Sequence, residues 1–486
     1  MRLSQLLARA PGPVDPEIAG VTADSRAVRP GWLFAALPGA RVDGAAFVPQ
    51  ALAAGAAAVI AGEGASVEAR APTYRFRDVR RVYALAAARL AASQPATCVA
   101  VTGTNGKTSV ATFARQIFGA LGRSAASMGT LGVSTTAGEV LTPPGLTTPD
   151  AADVARLAAE LAGRGVTHLA LEASSHGLDQ RRLDGLRIKA GGFTNLSQDH
   201  LDYHADMGAY RAAKLELFER LVPRGGTAVL NADVDEFPVF AGFAVMHGQT
   251  VMGVGERGEA LRLVSRTPEP FGQRLVVDAG FGAREVALPL AGAFQASNVL
   301  VAAGLAIAAG EDADAVLGAL ERLEGAPGRM QRVGSVRGGE AYVDYAHTPD
   351  GLRTVLEALR PHVRGKLVAV IGAGGDRDRT KRPLMGAEAH RLADAVIVTD
   401  DNPRSEDPAT IRAEVLRGAP GAQDVGDRRE AIRAAVAGLG DGDVLVVAGK
   451  GHEQGQTAAG VTHPFDDVAE VRAALLNDSG EDAGGG

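Results

Sequence analysis

CVAVTGTNGKTSVATFARQIFGAL, running from Cys98 to Leu121, decides how the rest of the chain is read. CVAVT (Cys98–Thr102) is an apolar run of strand character, and VATFARQIFGAL (Val110–Leu121) places apolar side chains at helical spacing. Between them lies TGTNGKTS, Thr102–Ser109. A glycine-rich turn from strand to helix exposes successive backbone N–H groups at the positive end of the helix, the arrangement that cradles phosphate. Gly103, Thr104, Asn105 and Gly106 make the turn, and Ser109 ends it. Lys107 can reach β- and γ-phosphates, and the Thr108 hydroxyl can ligate Mg²⁺. The spacing departs from the usual Walker pattern, since Val101 stands where the first glycine is expected. The competing reading is an ordinary strand–turn–helix with an exposed lysine.

Outward from this segment, apolar runs alternate with helical patterns. THLALEA (Thr167–Ala173), AGGFTNL (Ala190–Leu196), LVAVIG (Leu367–Gly372), AVIVTD (Ala395–Asp400) and DVLVVAG (Asp443–Gly449) read as strands, and DVARLAAELAGRG (Asp153–Gly165) as a helix. The alternation predicts α/β architecture with parallel sheets, whose ligands bind beyond the carboxyl ends of the strands. The linker-like SQPAT (Ser93–Thr97) and the break EGAPGR (Glu324–Arg329) divide the chain into 1–94, 95–328 and 329–486. The final SGEDAGGG is expected to fray.

Composition narrows the field. A length of 486 residues suggests about three domains. A formal net charge of −7 argues against a general nucleic-acid binder. The single cysteine, Cys98, excludes an intrachain disulfide and a Cys-rich zinc site, and fits a reducing, cytoplasmic setting. MRLSQLLARAPGPV is a poor signal peptide, and no apolar run approaches the ~20 residues of a membrane span.

Polar clusters follow the strands. EASSH begins at Glu172, TNLSQDHLDYH at Thr194, GAGGDRDRTKRP at Gly372, DDNPRSEDP at Asp400 and GKGHE at Gly449. Glu172 and His200 are candidate Mg²⁺ ligands beside the phosphate loop, although a hard cation prefers oxygen to imidazole. His200 and His204 have the spacing of a helical zinc pair but lack a local third ligand. Asp401-Asn402-Pro403-Arg404 holds a guanidinium on a rigid loop, able to grip a carboxylate through two parallel hydrogen bonds. Arg377 offers a second grip and Glu453 an acceptor for an ammonium, so these residues suit a zwitterionic substrate.

Taken in order, TADSR, TGTNGKTS, LTTPD, LEASSHGLDQRR, TNLSQDHLDYH, AYRAAKLELF, GRMQRV, DYAHTPDGL, GGDRD, DNPRSEDP and GKGHE resemble the Mur ligase superfamily over nearly the whole chain. That family builds the peptide stem of bacterial cell-wall precursors. The resemblance implies three α/β domains: a uridine-nucleotide domain, a phosphate-loop ATPase domain and a Rossmann-like amino-acid domain. DNPR implies a member that adds meso-diaminopimelate to UDP-N-acetylmuramoyl-L-alanyl-D-glutamate.

It further implies UDP contacts at Ser25, Ala40, Arg41 and Val42, and dipeptide contacts at Thr147, Thr148, Ser174, Gln180 and Arg182. Nucleotide contacts are implied at Asn298, Arg329, Asp344 and His347. Arg377, Asp401, Asn402, Pro403, Arg404, Gly449 and Glu453 would form the diaminopimelate pocket. Lys214 matches the lysine the family carboxylates, where its carbamate would join Thr108, Glu172 and His200 in placing Mg²⁺; the residues alone read Lys214 as an exposed helix lysine. Departures from the family pattern are Gln295, Ala45, Gly455 and Ala373.

The expected reaction activates the D-glutamate γ-carboxylate as an acyl phosphate with ATP, after which the amine of diaminopimelate displaces phosphate. Lys107, Glu172, His200 and Lys214 are the expected catalytic set. Domain closure about the glycines at 325 and 328 would exclude water. A cytoplasmic monomer is expected. The alternatives are a lysine-adding ligase, a folylpolyglutamate synthase, or a nucleotide switch without ligase activity.

Overall fold

The computed structural model describes residues 1–9, 14–39, 42–66, 72–200, 203–280 and 282–480. Packing divides the chain into two compact units, Met1–Leu261 with Leu300–Val316, and Arg262–Val299 with Leu317–Gly486.

The first unit opens with a four-stranded parallel sheet of Gly20–Thr22, Trp32–Ala36, Ala58–Gly62 and Thr73–Phe76, paired in that order. Helix Val79–Ala91 covers one face. It starts where the Asp78 carboxylate accepts from Arg81 N, and stops where Ala92 turns left-handed at φ 63°. Buried Tyr83 donates to Asp150 at 2.6 Å, and Asp150 caps helix Ala151–Gly163 through Ala152 N.

Next comes a larger, mostly parallel sheet. Its parallel strands lie in the order Thr250–Gly255, Thr227–Asn231, Ala190–Phe193, Thr97–Thr102, His168–Glu172 and Ala125–Gly129. Antiparallel Gly132–Thr135 and Val140–Thr142 extend one side. The chain leaves Thr97–Thr102 toward one edge, returns through His168–Glu172, and crosses to the other side at Ala190–Phe193. That reversal opens a crevice beyond the carboxyl end of Thr97–Thr102, where the glycine-rich segment lies. Near-continuous burial of these strands is what a parallel sheet covered on both faces requires. Cys98 is fully buried in the first of them, its Sγ accepting from Gln94 Nε2 at 3.3 Å, and burial pushes its thiol up to about 12.

The second unit carries an antiparallel set, Leu261–Glu269, Gly272–Asp278 and Ala283–Leu288. It also holds a sheet in which Gln331–Val336 runs antiparallel to Gly339–Asp344. Parallel strands follow in the order Gly339–Asp344, Val444–Ala448, Leu367–Ile371, Ala395–Val398 and Gln423–Asp424. The strand latest in sequence of this set, Val444–Ala448, is inserted between earlier ones, so Asp344, Gly372, Asp401 and Gly449 come off the same end of the sheet. A small hairpin, Gly455–Ala458 with Val461–Pro464, follows. Arg428 and Asp467, both fully buried, pair bidentately at 2.7 Å and tie two helices of this unit together. Each would be costly to bury alone. Of the SGEDAGGG tail expected to fray, the first two residues, 479 and 480, end the helix Asp467–Gly480, and 481–486 lie outside the described residues.

Candidate functional site

In the first unit the helix begins at Lys107, three residues before the apolar pattern does, so Lys107 and Thr108 occupy its first turn. Gly106 caps it at φ 87°, a left-handed conformation that suits glycine. Gly103 is needed for a different reason, because a Cβ there would lie 1.9 Å from Thr194 Oγ1. The loop is braced from below. Thr194 Oγ1 donates to Asn105 O at 2.6 Å, Asn195 Oδ1 accepts from Asn105 N at 3.0 Å, and Ser197 N donates to Thr104 Oγ1 at 3.0 Å. Lys107 Nζ folds over its own loop, donating to Gly103 O at 2.9 Å and Thr104 O at 2.7 Å. A preformed turn with an ammonium at its mouth fits a polyphosphate.

Glu172 is buried at the carboxyl end of its strand and accepts from Thr108 Oγ1 at 2.9 Å and Thr130 N at 2.8 Å. Thr108 and Glu172 thus bring together the hard oxygen donors that suit Mg²⁺. His200 is bonded to neither of them. It takes a left-handed φ of 52°, lies beside Asp199, and has its ring 5.0 Å from His176 and 6.0 Å from Tyr210. Among the described residues, no three His, Cys, Asp or Glu side chains cluster as a metal site.

Lys214 lies on the helix Met207–Glu216 but is not the exposed lysine that the residues alone suggest. Only 1% of it is exposed; Nζ donates to Gly103 O at 2.8 Å and lies 4.0 Å from the Tyr210 ring centroid. Burial, reinforced by the Lys107 charge, pushes its ammonium down to about 6. A largely neutral amine next to the phosphate loop is a nucleophile at neutral pH. A signal for this burial is present in the sequence: Tyr210, Ala213, Leu217, Phe218 and Leu221 form a helical stripe that includes Lys214.

The dipeptide candidates join the same network. Thr147 and Thr130 share a hydroxyl contact at 3.0 Å, and Thr148 Oγ1 donates to Glu172 O at 3.0 Å and lies 3.0 Å from Ser174 Oγ. Ser174 caps the turn Ser175–Asp179. Arg182 donates to Thr148 O at 2.6 Å and to Gln180 Oε1 at 2.8 Å, while Gln180 Nε2 reaches Tyr203 OH at 3.2 Å. Thr130, Tyr203 and Tyr210 were not expected. Ser25 is buried and donates to Gln50 Oε1 at 2.9 Å; Val42 is exposed; Ala40 and Arg41 lie outside the described residues.

In the second unit, Gln295 accepts from Asn298 at 3.2 Å and donates to Arg329 O at 3.4 Å, so the departure from the family pattern still links two expected nucleotide contacts. The Arg329 guanidinium lies 4.5 Å from the Tyr345 ring centroid, and His347 and His452 flank that ring at 4.7 and 5.1 Å. Burial, with the Arg329 charge, pushes the His452 imidazole down to about 4. Asp344 is buried and accepts from Met330 N and Ala346 N, both at 2.7 Å; burial raises its carboxyl.

A second cluster of this unit gathers most of the expected amino-acid residues. Arg404 takes φ 55°, donates from Nη1 to Gly375 O at 2.7 Å, and is bonded through N to Thr457 O at 2.9 Å and through O to Ala459 N at 2.7 Å. The hairpin therefore fixes a backbone conformation that arginine adopts reluctantly. Asn402 Nδ2 donates to Glu453 Oε2 at 2.9 Å. Asp401 is buried, and its Oδ2 has no hydrogen-bond partner among the described residues, an orphaned acceptor that fits an ammonium. A Cβ on Gly449 would come within 2.6 Å of that oxygen. Arg377 is exposed on the loop after Leu367–Ile371. Sequence reasoning missed Lys450 and also Arg382, which is fully buried and ion-paired to Glu406 and Glu414.

Comparison with known proteins places this geometry. Residues 17–92 match the Mur ligase family catalytic domain, 101–306 the Mur ligase middle domain, and 328–451 the Mur ligase glutamate ligase domain. A UDP-N-acetylmuramoyl-L-alanyl-D-glutamate–2,6-diaminopimelate ligase of Caulobacter vibrioides is 68% identical, covering 98% of each chain. The protein of that name from Rhizobium meliloti is 53% identical over 94% of each. A solved structure of a ligase of the same name is 35% identical, with a TM-score of 0.75 over 99% of each chain. The MurF ligase of Thermotoga maritima, in complex with ADP, shares the fold at 20% identity, with a TM-score of 0.61 over 98% of this chain and 99% of that one. Identity of this extent along the full length, on a three-domain α/β architecture, makes the chain a member of the Mur ligase family.

Proposed function

We propose that this protein is the ATP-dependent ligase that joins meso-2,6-diaminopimelate to UDP-N-acetylmuramoyl-L-alanyl-D-glutamate, in peptidoglycan precursor synthesis. The observation that carries this reading is the 68% identity, over 98% of both chains, to a relative named for that reaction. We assign residues 1–94 to the uridine nucleotide, 95–328 to ATP and 329–486 to the amino acid. We read the protein as a cytoplasmic monomer without a nucleic-acid partner; no helix among the described residues is long and apolar enough to cross a membrane.

The chemistry requires two anions to meet, the γ-carboxylate and the γ-phosphate of ATP. Lys107 and the N–H groups of residues 103–109 bind and orient the phosphates and offset their charge. Thr108 and Glu172, with His200 and a carbamate on Lys214, would hold Mg²⁺, which supplies further neutralisation when bound. The carbamate forms when the neutral Lys214 amine attacks CO₂, making an N–C bond and releasing one proton, so a buried base becomes an anion. Asn298, Arg329, Asp344 and His347 are assigned to the nucleotide. Ser25 and residues 40–42 are assigned to UDP, and Thr147, Thr148, Ser174, Gln180 and Arg182 to the dipeptide. Arg377 and Arg404 grip a carboxylate of diaminopimelate, while Asp401 and Glu453 receive an ammonium. The attacking amine displaces phosphate from the acyl phosphate, and no side-chain nucleophile is required.

The decisive assay gives purified protein ATP, Mg²⁺, the UDP-muramoyl dipeptide and one amino acid at a time. ADP release should require both the nucleotide sugar and diaminopimelate. Release independent of them, or supported equally by lysine, would sink the proposal.

A further inference from the structure

Lys450 has no part in the reaction as described above, yet it is completely buried. It follows the strand Val444–Ala448 and projects its ammonium beneath the amino-acid cluster. Its Nζ lies 3.2 Å from Asn402 Oδ1 and 3.3 Å from Glu453 Oε2. Thr457 N also donates to Asn402 Oδ1, at 2.9 Å, and Asn402 Nδ2 donates to the same Glu453 Oε2, at 2.9 Å. These bonds fix polarity. The amide oxygen of Asn402 is committed to two donors, so its NH₂ faces Glu453 and retains a further N–H for an acceptor. Glu453 accepts both bonds through Oε2, and among the described residues its Oε1 accepts none. Glu453 is itself about one-third exposed, so the carboxylate stands at the mouth and the cation below it.

Stability alone is a poor reason for this arrangement. A buried ion pair is weak evidence for stability, since replacing both members by well-packed apolar side chains of similar volume is often neutral or stabilising. We infer that Lys450 is a positioning residue for the amino-acid acceptor, holding Glu453 and Asn402 in the orientation that meets an ammonium and a carboxylate. The inference rests on the reading of this cluster as the diaminopimelate pocket.

The test uses the full-length enzyme with ATP, the UDP-muramoyl dipeptide and diaminopimelate each varied in turn. Lys450→Met should raise KM for diaminopimelate by about tenfold or more and leave KM for ATP within about twofold. In the Lys450→Met, Glu453→Gln double variant the lysine change should add little to Glu453→Gln alone, because the group it acts through is already altered. An unchanged KM for diaminopimelate, full additivity in the double variant, or a loss shared equally by ATP and diaminopimelate would overturn the inference. If Lys450→Met does not fold, Lys450→Leu, which likewise removes both bonds, is read by the same criteria. A wild-type enzyme whose ADP release ignores diaminopimelate would instead overturn the reading of the pocket, and the inference with it.

Discussion

Two lysines of this protein are almost equally hidden and differ in everything else. Lys214 is 1% exposed, its ammonium set against a backbone carbonyl and an aromatic ring, with the Lys107 charge disfavouring its own. Lys450 is 0% exposed but meets a carboxylate and a side-chain amide. Around Lys214, burial and the Lys107 charge outweigh the opposing Asp199 carboxylate, whereas Lys450 has a carboxylate oxygen 3.3 Å from its ammonium. The first environment therefore prepares an amine to react, and the second prepares a cation to hold its neighbours. Residue type and burial together do not assign a role. The neighbours do.

The strongest way to break this contrast is to remove the reactive amine. Lys214→Ala should lower the ligase rate by roughly two to three orders of magnitude, comparable to deleting a preorganised charge-stabilising group. Added bicarbonate should not restore it, and a ¹³CO₂ adduct detectable by NMR in the wild type should be missing. Full activity in the variant would remove the carbamate from the mechanism.

On the other side of the comparison, Arg404→Ala should reduce kcat/KM for diaminopimelate by about 10- to 100-fold while KM for ATP stays nearly constant. An unpaired carboxylate in the pocket costs on the order of 1–3 kcal/mol. Wild-type kinetics with diaminopimelate would contradict the assignment of Arg404.

The smallest effect is thermodynamic and sharpens the first half of the contrast. Unmodified Lys214 titrates near 6 in the folded protein and at its ordinary value of 10.5 when unfolded. Between those values the unfolded chain binds the extra proton, so stability rises with pH. The destabilisation from burying this lysine is fully present below pH 6 and is relieved as pH climbs toward the unfolded value. In CO₂-free buffer, the stability of wild type minus that of Lys214→Met should grow by up to about 1.4 kcal/mol per pH unit between pH 7 and 9. Parallel denaturation curves across that range would show that Lys214 is charged in the folded state.

Much of the fold was legible because its signals are local. The run from Cys98 to Leu121 carries its own strand, turn and helix, and each polar cluster follows its strand directly in sequence. What stayed hidden depends on contacts between distant residues. Thr130 N meets Glu172 across 42 positions, and Arg382 reaches Glu406 across 24 and Glu414 across 32; no local pattern encodes such pairings. Lys214 is a different case. Its stripe was written in the helix, but a charged residue in an apolar stripe is ordinarily taken as the edge of the exposed face.

The solitary cysteine has a practical consequence. Cys98 sits in the central strand with its thiol buried and held protonated. Thiolate reagents therefore cannot modify the native chain and will react only as that strand opens. The wild-type enzyme thus contains an internal clock for global unfolding. For the same reason it is a ready background for labelling: a single surface cysteine introduced on any domain would be the only one to take a probe under native conditions.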